Sequence, residues 1–298
     1  MISIRAMRSG FHTPSETPSL ATSWLGALFQ QMEVRRLSKL ERYLRRADLE
    51  AEMSPHFQPI FDAARGKTIA FEALARWESP KLGCVPPDIF VPAAERSDLI
   101  NKVTQTLLRK ALKCARAWPS DIRISFNLSV RDLTCRAAIL DIIAIVEDSG
   151  VAPRRIDLEV TETAFMKDFD EARKSMQTLK ALGVGISLDD FGAGYSSLSY
   201  VHRLPIDKIK IDRSFIKDVE TEATCRAVVK TIVELCRNLD LTCVVEGMET
   251  DEQARVLRSL GCTMMQGFLF GKPMPAWKVI DFLRVAKAAE TSELAAFT

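Results

Sequence analysis

The chain has 298 residues, 47% hydrophobic and 27% charged, which suits one large globular domain or two small ones. Its net charge of +2 supplies no basic surface of the kind that nucleic acid selects, so a nucleic-acid partner is excluded at this level. No apolar run approaches the roughly 18 residues that span a bilayer, the N-terminus lacks a secretory core, and the seven scattered cysteines contain no C-x-x-C pair. A cytoplasmic protein with reduced thiols and no membrane span is expected.

Residues 1 to about 20 are rich in Ser, Thr and Pro and are expected to be poorly ordered. From Ser23 to about Met53 the pattern is helical. Val34, Leu37, Leu40, Leu44 and Ala47 form a narrow stripe between arginines and lysines. Two readings of this helix stand. It packs on the domain's own surface, or it is a short coiled-coil-like arm that pairs subunits or takes a signal from an upstream partner. Residues 1–52 are set apart as a disordered segment and helical arm. Residues 53–298 form the folded domain, with a core of about 55–288.

From Phe57 the pattern changes to short apolar strands. Phe57–Ile60 and Thr68–Leu74 flank a turn-like stretch too short for a parallel crossover, so they should pair as an antiparallel hairpin. Strands then alternate with helices. Leu99, Val103, Leu107, Ala111 and Ala115 mark one helix, and strand Ile122–Leu128 follows. A helix within 133–146, strand Ile156–Val160 and a helix over Phe169–Leu182 come next, the last closed by Gly183. A strand ending at Asp189, strand Lys208–Ile211, a helix around Val229–Cys236 and strand Thr242–Val245 continue the pattern. A last helix near Gln253–Leu260 leads to strand Met264–Leu269. Eight strands over this length predict an α/β fold, a modified TIM (β/α)8 barrel with one antiparallel strand in the initial hairpin.

The polar residues at the strand ends are Glu72, Asn127, Glu159, Asp189 with Asp190, Lys210, Glu246 and Gln266. In a barrel, parallel strand ends meet at one rim, where active sites of this fold lie. Asp189-Asp190 ends an apolar run and by itself reads either as a solvated turn or as a ligand pair for a cation. The chain's histidines, His12, His56 and His202, stand at none of these ends. Carboxylates with an amide oxygen suit Mg²⁺ or Mn²⁺ better than Zn²⁺. The rim could hold two such ions, with Lys210 orienting the attacking water or accepting its proton. The expected reaction class is metal-assisted phosphodiester hydrolysis.

Seven motifs in order carry a resemblance to a known family. They are Phe71-Glu72-Ala73-Leu74-Ala75-Arg76, Asn127-Leu128-Ser129, Glu159-Val160-Thr161-Glu162, Asp189-Asp190-Phe191-Gly192, Lys210-Ile211-Asp212, Glu246-Gly247-Met248-Glu249 and Gln266-Gly267-Phe268. Together they resemble the EAL-domain family, bacterial phosphodiesterases that linearise cyclic di-GMP to 5′-pGpG. The resemblance implies Glu72, Asn127, Glu159 and Asp189 as ligands of one metal, and Asp189, Asp190 and Glu246 as ligands of a second. It implies Lys210 at the attacking water, with Gln266 supporting the ligands. Gln58, Leu74, Arg76 and Asp212 fall at substrate positions, with Arg76 on a phosphate. Glu162 and Glu249 fall at positions that hold loops, Glu162 holding the one after Asp190. Ca²⁺ is expected to inhibit, and a homodimer formed near that loop is expected. Phe57, Val245, Met248 and Phe268 depart from the usual family residues, and none removes a metal ligand. The alternative implied by the family is a catalytically silent cyclic di-GMP receptor, a kind that usually lacks some ligands.

Overall fold

The computed structural model describes residues 39–162, 168–192 and 201–295, with side chains in the last helix to residue 287. Strand β1 (Met53–Asp62) folds back on β2 (Lys67–Ser79), and the two pair antiparallel from Met53 opposite Trp77 to Asp62 opposite Lys67. The Asp62 carboxylate fixes the turn by accepting from the Ala64 and Arg65 N–H groups. A short β3 (Gly83–Val85) lines the far end of β2. Strands β4 (Arg123–Leu128), β5 (Ile156–Thr161), β6 (Gly185–Phe191), β7 (Lys208–Ile211), β8 (Thr242–Met248) and β9 (Met264–Gly267) then follow β2 in parallel. β9 returns to β1 antiparallel, so eight strands close a barrel in which β1 alone runs against its neighbours. A two-residue β10 (Met274–Pro275) caps the outer end of β1.

Helix boundaries follow local chemistry. Asp168 accepts from the Glu171 N–H at the start of helix Phe169–Leu182, and Gly183 closes that helix at φ 98°, a conformation cheap only for glycine. Thr250 and Gln253 make reciprocal bonds at the start of helix Asp251–Ser259. Two helices lie where none was expected, Pro87–Arg96 and Ala276–Ala295, and β2 runs five residues past Leu74.

The core lies between the barrel and its helices. On β5, Ile156, Leu158 and Val160 are buried outward while Asp157 and Glu159 point into the lumen. On β7, Ile209 and Ile211 alternate with Lys208 and Lys210 in the same way. Ile60, Ala70 and Val244 form a small apolar cluster of their own. Leu40 and Leu44, on a helical segment at 39–44, join the main core, and Arg96 pairs with Glu41 at 3.2 Å. That part of the expected arm therefore packs on its own domain. Val34 and Leu37, with the rest of the arm before residue 39, lie outside the described residues.

At the N-terminal end of the lumen, Arg123 and Lys208 both pair with Asp157, whose side chain is 3% exposed. Burial alone would raise the Asp157 carboxyl, but the two cations hold it below the usual range. A depressed folded-state value means the stabilisation is present above the unfolded value near 3.8 and lost as pH falls below it. Asp157→Asn is expected to cost about 3 kcal/mol at neutral pH. Denaturant melts from pH 7 to pH 3 should show the gap between variant and parent closing at the acid end.

Candidate metal centre

Near the C-terminal end of the lumen, Glu72 of β2, Glu159 of β5 and Asp189 of β6 offer carboxylate oxygens within 4.8 Å of one another. Lys210, 1% exposed, stands among them. Its ammonium lies 2.6 Å from Glu246, 2.8 Å from Glu159, 3.2 Å from Asp189 and 3.4 Å from Glu72. Amides complete the floor. Asn127 donates to Glu72 Oε1 at 2.7 Å and Gln266 to Glu72 Oε2 at 2.6 Å. Gln266 also reaches Gln58 at 3.3 Å, and Gln58 donates to the Gly271 carbonyl at 3.2 Å.

One ammonium among four carboxylates, three buried and Glu246 partly so, leaves a negative excess that sets their proton affinities. Burial, reinforced by the charge of Glu72, pushes Glu159 well above the ordinary range. Burial opposed by Lys210, with Asp189 and Glu72 adding repulsion, pushes Glu246 up to about 8. Burial would raise Glu72 too, but Lys210 and the Gln266 and Asn127 donors carry it below its usual value. Lys210 itself is desolvated, yet the surrounding carboxylates hold it charged, well above its ordinary value. Gln266 Oε1 is buried without a hydrogen-bond partner among the described residues. An all-oxygen set with surplus negative charge and an unsatisfied acceptor fits a hard divalent cation.

Glu72, Asn127, Glu159, Asp189, Lys210, Glu246, Gln266 and Gln58 thus form one connected cluster. Asp190 is exposed at φ 54°, its N–H donating to Asp189 Oδ1, so its side chain stands at the edge. Leu74 and Arg76 continue the face of Glu72 along β2 beyond the rim. Arg76 is half-buried and donates to the Ala75 carbonyl. Asp212 caps a short turn by accepting from the Ser214 N–H. Glu162 accepts from the Gly192 N–H at 3.0 Å, just where the chain leaves Asp190. Gly192 takes φ 92° there, and a Cβ would meet the Phe215 ring at 2.6 Å. Residues 193–200 of that loop lie outside the described residues. Glu249 is exposed and its side chain makes no polar contact among the described residues; the neighbouring Glu249 N–H is held by Gln253 instead.

Sequence reasoning passed over Ser125, whose hydroxyl donates to Glu159 Oε1. Its position two residues before Asn127 on one strand face was the available signal.

A family model described as "EAL domain" matches residues 41–273. The chain belongs to the EAL-domain family. It is 41% identical over 243 residues to the Pseudomonas aeruginosa protein named bifunctional diguanylate cyclase/cyclic di-GMP phosphodiesterase MucR, spanning 80% of this chain and 35% of that one. It is 34% identical over 256 residues to the cyclic di-GMP phosphodiesterase RocR of the same organism, spanning 85% of this chain and 65% of that one. The solved structure titled "PaMucR Phosphodiesterase, c-di-GMP complex" superposes at a TM-score of 0.76 with 39% identity, covering 81% of this chain and 99% of that one. A Klebsiella pneumoniae BlrP1 structure titled as a manganese and cy-diGMP complex superposes at 0.68 with 32% identity, covering 76% of this chain and 56% of that one. The chain spans about a third of the length of the first curated relatives it matches. Among its described residues no helix is long and apolar enough to cross a membrane.

Proposed function

We propose that this EAL domain hydrolyses cyclic di-GMP to linear 5′-pGpG. The observation that carries the reading is the cluster of Glu72, Glu159 and Asp189 around Lys210. It adjoins a rim cavity of about 470 Å³. Pro55, Leu74 and Pro92 give this cavity apolar walls suited to a base, while Asn127, Asp189 and Asp190 give it a polar side suited to metal-bridged phosphate.

Glu72, Asn127, Glu159 and Asp189 would hold one Mg²⁺ or Mn²⁺ ion, and Asp189, Asp190 and Glu246 a second. Bound there, such ions polarise the phosphoryl group and activate water. Lys210 is held charged, so its part is to orient the attacking water as a donor rather than to remove a proton. Gln266 and Asn127 fix the Glu72 carboxylate, and Ser125 fixes Glu159. Arg76, next along the face of Glu72, is positioned to turn its planar fork to a substrate phosphate once released from Ala75. Glu162 ties the loop after Asp190 to the ligand strand. A homodimer formed near that loop, and an upstream partner acting through the N-terminal segment, belong to the same reading.

The test is product analysis of purified protein with cyclic di-GMP and Mg²⁺ or Mn²⁺. Linear pGpG is expected. Tight binding with no product, unchanged by Glu72→Ala, would replace the enzyme with a receptor. Ca²⁺ offered alone is expected to support less than a tenth of the Mg²⁺ rate, because its longer and less regular coordination misplaces the water. Rates in each metal measured side by side check this.

A further inference from the structure

The barrel has a second mouth. At the N-terminal end of the lumen, opposite the metal centre, lies a cavity of about 500 Å³. TIM barrels fill this space with bulky branched side chains. Here β4 and β6 present the small residues Ser125, Gly185 and Ser187 to this part of the lumen, which leave one side of it open. Gly185 is required for this arrangement. A Cβ there would lie 2.2 Å from Asp157 Oδ1 and 3.1 Å from the Arg123 guanidinium.

The charge of the cavity is one-sided. Arg65, Lys67, Arg123, Arg154, Lys180, Lys208 and Lys210 line it, against Asp121, Asp157, Glu159 and Asp207, and Arg65 also pairs with Asp62. Asp157 is shared between Arg123 and Lys208, so one buried carboxylate serves two cations. Asp121 and Asp207 are each taken by one lysine, Lys67 and Lys180. Among the described residues the Arg154 side chain has no ion pair or hydrogen bond, while its carbonyl accepts from Arg123. The Ser187 hydroxyl on the wall can donate as well. The roof of the cavity is the underside of Glu159 and Lys210.

We infer that this mouth is a binding site for a phosphate-bearing anion, on the opposite side of Glu159 and Lys210 from the metal centre's rim. Surplus positive charge around a recessed cavity, with the planar guanidinium of Arg154 open to a ligand, is the chemistry that recognises phosphate oxygens. The size admits more than a bare phosphate, so a small phosphate ester is within reach as well as the free ion. The inference does not depend on the proposed hydrolysis, and its failure would leave that reading untouched.

The experiment uses the whole chain after metal removal with EDTA and dialysis, because the metal-free rim is acidic and repels anions. Calorimetric titrations with inorganic phosphate and with GMP are compared for the parent, Arg154→Ala and Arg154→Glu. Arg154 is exposed and has no partner among the described residues, so both variants should fold, with an unchanged melting temperature as the check. Saturable binding at one site is expected, weakened about tenfold by Arg154→Ala and further by Arg154→Glu. GMP binding tighter than phosphate would identify an ester as occupant, and equal binding would identify the free ion. No saturable binding of either probe, or binding that Arg154→Glu leaves unchanged, overturns the inference.

Discussion

Asp189→Asn is expected to lower hydrolysis of cyclic di-GMP by roughly 10³-fold, about 4 kcal/mol of transition-state stabilisation. Asp189 is the one carboxylate of the Asp189-Asp190 pair that lies in the cluster, 9% exposed and 3.2 Å from Lys210. It is also the residue assigned to both proposed ions. Asparagine keeps the shape and removes the charge, so metal affinity should fall while the fold holds. Asp190→Asn, at an exposed edge position, should cost less. Steady-state rates across a Mn²⁺ titration separate the two, since excess metal should recover more of the Asp190 variant's activity than of the Asp189 variant's.

The second large effect is on stability. Lys210→Met removes the cation that, among the described residues, contacts Glu72, Glu159, Asp189 and Glu246 together. Stripping a buried ion cluster of its partner costs about 3–5 kcal/mol, or roughly 10 °C in melting temperature for a domain of this size. The loss has a pH signature. Glu246 is pushed from 4.5 up to about 8 when folded. A raised folded-state value means its contribution is present below the unfolded value and lost as pH rises through the folded one. Metal-free parent protein should therefore lose stability between about pH 5 and pH 8, and the Lys210→Met variant should lose more. Adding Mg²⁺ or Mn²⁺ should recover more melting temperature in the variant than in the parent, because the ion then supplies the missing positive charge. Calorimetric melts across that range, with and without metal, read both effects without any assay of activity.

Much of this site was legible because strand residues alternate strictly and barrel strands share one polarity. An acid closing an apolar run, as at Asp189, can only emerge at the common rim. The same rule leads to Lys210 and Gln266, whose side chains contact Glu159 and Glu72. Glu72 reaches the same cluster from mid-strand, since β2 does not end near Leu74 but continues to Ser79 against β1 and β3. Arg76 and Glu78 interrupt the apolar run there, while Trp77 and Ser79 stay buried between them. Helix Pro87–Arg96 was missed because two prolines begin it and Pro92 lies inside it, where proline usually argues against helix. Helix Ala276–Ala295 was missed because exposed Trp277 and Val285 blur its apolar face. The polar floor of Arg123, Asp157 and Lys208 was within reach. Each stands on the inward face of its strand, two residues before Ser125, Glu159 and Lys210. No motif draws the eye to them.

The central claim is that the rim carboxylates perform the hydrolysis through bound divalent ions. The most direct measurement follows cyclic di-GMP turnover and binding on one preparation, first with EDTA, then after Mn²⁺ is restored, with Asp189→Asn alongside. No turnover in EDTA, production of linear pGpG on adding Mn²⁺, and little recovery in the variant are expected. Turnover that persists in EDTA, or full binding without turnover in excess Mn²⁺, would contradict it.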